Sequence, residues 1–367
     1  MKTLSSLAHR FGGLLPASPR ARQRPARALL GTLAAGALLS ACGGGVSSSR
    51  DGVDSGGSGT CVAALSTYSG TLGGGAPAGA IALADVRFAL AYPQVADCRV
   101  HAQVLDELDG QTLADTQLLP GAQAVVLAWT VQAGPDGTLR ANAANVSLVD
   151  DLAGPVDSVD PDQGRLQLLG QTVRVDAATV WAGPANLGAI LPGQTLRVHG
   201  LVNADTGEHL ATRIETLDTA ASVWSLTGPV TALDLAQDRL TVGGARLDLS
   251  GVPAASRPTL AVGDVVNLHL AAGPLASPWL AQTLTRQPAS PMPDSLPLDD
   301  HTVQGLVAGM SAGTRWRLGN LWVDTQGASV TDARGLAATV QAGDQVRAHG
   351  RTEAGLMHAD RVVVITP

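Results

Sequence analysis

The sequence predicts an all-β chain built as a tandem array of small modules, each of about five short strands. Three observations carry this. Gly is abundant at 43 residues, charged residues make up 15% and aromatics 3%, so turn formers and small β-compatible side chains dominate. Apolar residues alternate with period two around Gly-bearing turns, as hairpin strands do. The same pattern then recurs along the chain, which points to repeated structural units.

The first 41 residues carry Lys2, Arg10, Arg20, Arg22, Arg24 and Arg27, no acid, and the apolar run ALLGTLAAGALL at 28–39. A basic start, a short apolar stretch and small residues before a cut define a secretory signal peptide. Twelve residues are too few for a membrane-spanning helix, which needs about 20. Leu39-Ser40-Ala41-Cys42 resembles the bacterial lipobox, in which the Cys becomes the acylated mature N-terminus. A thiolate is the nucleophile that accepts such a lipid, and several acyl chains anchor stably where one is marginal. Gly43 in place of Asp favours outer-membrane sorting by resemblance to enteric lipoproteins, with the body facing the periplasm or exposed at the surface. Residues 43–60, Gly- and Ser-rich, form a flexible spacer. With Cys42 lipidated, Cys61 and Cys98 remain, and an oxidising compartment favours a disulfide between them.

The repeats set the expected boundaries. Gly154-Pro155-Val156, Gly228-Pro229-Val230 and Gly305-Leu306-Val307 stand 74 and 77 residues apart. Each precedes a hairpin: Leu166 and Leu168 with Val173 and Val175, Leu240 and Val242 with Leu247 and Leu249, Trp316 and Leu318 with Leu321 and Val323. A later strand follows a Gly, beginning Gly193-Gln194, Gly263-Asp264 and Gly343-Asp344, and a last strand carries Ala211/Ile214, Ala281/Leu284 and Ala359/Val362. A diverged first copy, from about Ser69-Gly70, keeps Pro120-Gly121 and Ala143/Val146. The expected modules are residues 61–150, 151–220, 221–287 and 303–367, with a Pro-rich linker at 288–302. Five short strands bury a core only by curling or stacking, so an OB-like barrel is the expected unit.

The spacing G-x-V, hairpin, G-D-x-V-x-V-x-G, A-x-x-I behind a lipobox resembles the repeat family known as domain of unknown function 5666. The resemblance covers 152–365 well and the first module loosely, and the third module departs most, with Leu270 where Gly200 and Gly350 stand in the second and fourth. It implies export and a compact β-domain, and it implies no activity.

The candidate chemistry is sparse. His199, His269 and His349 recur six residues after the module Gly, as a candidate repeated ligand contact. Alternation turns them outward, toward an expected exposed face. One His per barrel falls short of the three or four ligands zinc needs, so no metal site and no cofactor are expected. Asp160–Gly164 reads as a polar turn. Asp176 and Asp324, with Ser250 between, read as equivalent turn caps. Asp150-Asp151 and Asp299-Asp300 read as solvated linker charges. Trp316 falls in the inward register. No nucleophile elbow, zinc-protease helix, phosphate loop or dinucleotide fingerprint is present. The net charge is −7, and beyond residue 41 there are 18 basic against 31 acidic residues and no lysine. That excludes the clustered cations a nucleic-acid partner requires.

The sequence therefore predicts a non-enzymatic envelope lipoprotein, membrane-bound through its anchor, whose modules bind or scaffold an envelope protein or glycan. The alternatives are a periplasmic small-molecule or metal-binding accessory protein using the repeated His, and a hydrolase with a site between modules.

Overall fold

The structure, a computed structural model, describes residues 65–91, 102–106, 111–129, 131–149, 151–217, 223–273, 277–287, 301–311, 313–353 and 355–365. Cys42, Cys61 and Cys98, with the signal peptide and spacer, lie outside the described residues. The described chain is all-β apart from short 3-10 turns.

The strands fall into four successive sets. The first holds β1 (Leu65–Gly73), β2 (Ala80–Leu83), β3 (Val86–Ala89), β4 (Gln103–Asp106), β5 (Gln123–Trp129), β6 (Gln132–Ala133) and β7 (Leu139–Val149). The second holds β8 (Leu152–Asp160), β9 (Arg165–Leu168), β10 (Gln171–Arg174), β11 (Val180–Ala182), β12 (Thr195–Val202) and β13 (His209–Thr216). The third holds β14 (Val223–Asp234), β15 (Arg239–Val242), β16 (Ala245–Asp248), β17 (Val265–Ala271) and β18 (Trp279–Arg286). The fourth holds β19 (His301–Ser311), β20 (Arg315–Leu318), β21 (Leu321–Asp324), β22 (Ser329–Asp332), β23 (Gln345–Glu353) and β24 (Leu356–Val364). β19 thus takes up His301 and Thr302, the last two residues of the stretch read as linker.

Each set closes on itself. In the second, β8 pairs β9, β9 pairs β10, β10 pairs β13 in parallel, β13 pairs β12 and β12 returns to β8. The third set closes the same way through the parallel pair β16/β18. The fourth uses β21/β24 and the first β3/β7. This is the OB-like circuit the sequence predicts: four antiparallel pairings and one parallel, with no free edge in the ring.

Sequence explains the closure. The last strand of every ring carries a bulge: opposite the steps Leu127/Ala128, His199/Gly200, His269/Leu270 and His349/Gly350 of the fourth strand it holds one extra residue, Ala144, Thr212, Gln282 or Asp360. A bulge adds one residue on one side and bends the strand, which lets so short a sheet curl shut. Directly before the bulged residue, on the same strand, lies the recurrent Ala: Ala143, Ala211, Ala281 or Ala359, all buried. Inward positions of the hairpins fill the rings: Leu166, Leu168 and Val173 in the second, Trp316, Leu318 and Val323 in the fourth. The diverged first ring packs Tyr68 edge-on to Phe88, with ring centroids 5.0 Å apart. The Asp160–Gly164 turn is capped by its own Asp160, which accepts from Gln163 N at 3.1 Å.

The rings are fused pairwise. β8 pairs β14, and the cores of the second and third rings are continuous. β1 pairs β19 in parallel, which joins the first ring to the fourth. Hairpin tips complete the contact. Gly170 and Gly244 abut through a backbone hydrogen bond of 3.1 Å. Gly170 has φ +69°, and a Cβ there would lie 2.9 Å from Ala245 N, so only glycine fits. Asn320, at the tip between β20 and β21, is buried and binds the third ring three times. Its Oδ1 accepts from Val265 N at 2.8 Å, and its Nδ2 donates to Val265 O at 2.9 Å and Gln287 O at 2.7 Å.

Replacing Asn320 by Ala leaves those backbone groups unmet, which costs about 1–3 kcal/mol when buried. Urea unfolding of Asn320→Ala is expected to show that loss, and a change within error would remove Asn320 as a tie between the rings.

Candidate functional site

The space left for a ligand lies between the rings. A half-open cavity of about 240 Å³ is lined by residues of all four: Ser69 and Gln123 of the first, Asp151 of the second, Asn267 and Gln287 of the third, Gln304 of the fourth, among aliphatic neighbours. A second cavity of about 290 Å³ lies among the first, second and fourth rings, and Gln304 lines both.

First and fourth strands supply the walls because these strands meet across the ring junctions. Ser69 pairs both Val125 of β5 and Val303 of β19, so β1 runs through the wall. A chain of neutral hydrogen bonds holds it. Gln123, buried, donates from Nε2 to Thr71 Oγ1 at 2.7 Å and to Thr212 Oγ1 at 3.0 Å. Thr212 donates on to Gly121 O at 2.7 Å. Gln304 Nε2 reaches the same Thr71 Oγ1 at 3.4 Å. Asn267 Oδ1 accepts from Thr227 Oγ1 at 3.1 Å. Gln287 Oε1 is buried with no hydrogen-bond partner.

Asp151 is the carboxylate of this wall. It is buried and accepts from Gly200 N at 2.8 Å, so its reading as a solvated linker charge is corrected. The residue joins the first ring to the second, and its backbone carbonyl takes Thr227 N of the third at 2.8 Å. Asp150, Asp299 and Asp300 lie outside the described residues.

The three repeated histidines occupy equivalent positions, each directly before the register shift that faces the bulge. They line neither cavity. The expectation of an exposed face fails at His199, which is 2% exposed. Its ring does turn outward from its own barrel, but the first ring packs there, and His199 Nδ1 sits 2.9 Å from Val149 O. Burial pushes its pKa down to about 4, against that hydrogen bond. His269 is half-buried and also lowered by burial, with Asp106 of the first ring pulling the other way. Asp106 pairs with Arg197 at 3.5 Å. His349 Nδ1 lies 3.1 Å from Thr302 Oγ1. Among the described residues no group of three or more His, Cys, Asp or Glu side chains is placed to hold a metal ion.

Asp176 and Asp324 cap the turns that follow them, accepting from Ala178 N at 2.9 Å and Gln326 N at 3.0 Å. They are not equivalent. The parallel registers match Asp324 to Asp248, and Asp248 accepts from Ser250 N at 2.8 Å. Ser250 is the capped residue, not the cap.

Sequence reasoning missed His209 and the amides. His209 is wholly buried in β13, at the register position of Trp279 and Met357, and faces the Thr227 backbone of the third ring. Burial lowers its pKa from 6.5 to about 4, the Thr227 backbone pulling the other way. Of the amides, only Asn267 left a signal: the strand reads Arg197-x-His199 and Arg347-x-His349 in its sister modules, but Asn267-x-His269 here.

The fold keeps His209 neutral, while the unfolded chain protonates it below pH 6.5. Its contribution is therefore complete above pH 6.5 and is lost as pH falls toward 4. The loss reaches about 2 kcal/mol by pH 5. Unfolding of His209→Met, which copies the fourth ring, is expected to show a correspondingly smaller drop between pH 7.5 and pH 5. An identical drop in both proteins would exclude His209 as a source of acid sensitivity.

No curated protein matches the chain. Residues 153–215, almost the whole of the second ring, match the family described as Domain of unknown function (DUF5666).

Proposed function

We propose that the chain is an exported, envelope-anchored lipoprotein that works without catalysis, as a rigid binding or scaffold body. The observation that carries the reading is where its open space lies. The interiors of the rings are filled by side chains, the rings are tied to one another by backbone pairing, and the two cavities described above form where rings meet. Neutral amides and aliphatics dominate their walls, and such surfaces hold and orient a partner rather than move protons. The lone carboxylate of the central cavity, Asp151, has a structural partner in Gly200 N.

The sequence features before residue 61 support delivery to the envelope: the basic and apolar leader, the lipobox-like Leu39-Ser40-Ala41-Cys42 and the Gly/Ser spacer. Of the described residues, no helix is long and apolar enough to cross a membrane, so attachment in this reading rests on the acylated Cys42. The accessory reading built on the repeated His draws no support from their positions, since they line neither cavity and one is buried behind a neighbouring ring.

The test is metabolic labelling of the full chain with an alkyne fatty acid in a Gram-negative host, followed by membrane fractionation. The native chain is expected to incorporate label and sediment with outer membranes, and Cys42→Ala to lose the label and appear in the soluble fraction. An unlabelled, soluble native chain would overturn the envelope reading.

A further inference from the structure

We propose that the central junction cavity is a binding site for one small uncharged, hydroxyl-bearing ligand of monosaccharide size. The inference rests on the binding-protein reading above and names what the site would take.

Size comes first. At about 240 Å³ the cavity lies just below the ~300–1,000 Å³ of ordinary ligand sites, and the neighbouring 290 Å³ space across Gln304 would bring it within that range. A single sugar ring or a comparable polyol fits, whereas a peptide or an extended glycan would need an open groove.

The wall chemistry comes second. Gln123, Asn267, Gln287 and Gln304 converge from three rings, and each amide offers both a donor and an acceptor. Hydroxyl groups are donors and acceptors at once, so amides match them in either orientation. The amide nitrogen of Gln123 is committed to Thr71 and Thr212, so its carbonyl oxygen is the group to receive a ligand hydroxyl. Gln287 Oε1 is buried against Gly319 and out of reach of a ligand hydroxyl, so Asn267 and Gln304 supply the remaining amides of the wall.

Charge comes third. Among the described residues the cavity wall holds no Arg, Lys or His, so it offers no cation to neutralise a phosphate or carboxylate. Asp151 is held by Gly200 N, in the tie between rings. At one register the repeat strand carries Arg197 in the second ring and Arg347 in the fourth, two residues that do not line the cavity, and Val125 in the first and Asn267 in the third, two that do. The aliphatic remainder, including Val202, Val303 and Leu321, suits the C–H faces of a sugar ring.

The test uses the full-length chain in detergent, titrated with glucose and N-acetylglucosamine by calorimetry and saturation-transfer NMR. Glucosamine and glucuronate serve as charged counterparts. Saturable one-to-one binding of a neutral sugar is expected, with weaker binding of both charged forms. Gln304→Leu should weaken it about tenfold, and Ser69→Trp, which fills the space, should abolish it, with both variants checked for unfolding midpoint. Should Ser69→Trp fail to fold, Gln304→Leu alone decides. Absence of saturable binding to either neutral sugar, preference for a charged one, or affinity unchanged in Gln304→Leu overturns the inference. A chain that is acylated and membrane-bound yet binds neither sugar defeats this proposal alone; one that binds sugar but stays soluble and unlabelled defeats the envelope reading alone.

Discussion

The parallel pairing of the third strand with the last is the contact on which the architecture depends. Without β10/β13 and its three counterparts, each set of strands would be an open sheet with two exposed edges. Closing so few strands demands sharp bending, and the bulge in every last strand supplies it. The bulge explains why an Ala recurs beside it: the strands crowd there, and a larger side chain would hold them apart. It also fixes the histidine on the facing strand, which turns out of the barrel onto whatever lies outside.

What lies outside differs for each copy, and this is where repeat and function separate. His199 meets the first ring and is buried; His269 and His349 keep partial access to solvent. The hairpin tips show the same divergence. Leu169-Gly170 meets Gly243-Gly244 in a backbone contact with no room for a side chain, while Gly319-Asn320 inserts an amide into the third ring. Asp85, at the tip of the first ring's hairpin, reaches Arg361 of the fourth at 3.4 Å, a surface pair of small energetic weight. One local structure thus produces three kinds of contact, decided by two residues at each tip.

The barrel was legible in the sequence because its determinants are local. Alternation at Leu166/Leu168 and Trp316/Leu318, the Gly turns and the Ala/aliphatic spacing all act within one module, so each copy announces itself. The junctions were not legible. Whether Asp151 faces water or Gly200 N depends on the ladder between β8 and β12, which are distant in sequence, and period-two alternation can say only that a residue points away from its own core. The Asp176–Asp324 equivalence failed for a related reason. Alignment by the next acidic residue ignores register, whereas the parallel ladders place Asp324 with Asp248. Gln123, Gln287 and Gln304 read as ordinary polar residues on short strands until the rings are assembled around them.

A binding site between copies follows from the same physics. The inside of a five-stranded ring is too narrow to hold more than its own side chains, so the recurrent inward positions are bound to packing. Positions facing other copies escape that constraint and can differ without unfolding a module. Asn267 illustrates it: its sister copies carry Arg197 and Arg347, each on the outward face, and exchanging Arg for an amide leaves the strand and its ladder intact. Four copies fused pairwise bring four independently varied outer faces to one place. The repeat builds the walls, and outer positions free to vary between copies, such as Asn267, give the cavity its chemistry.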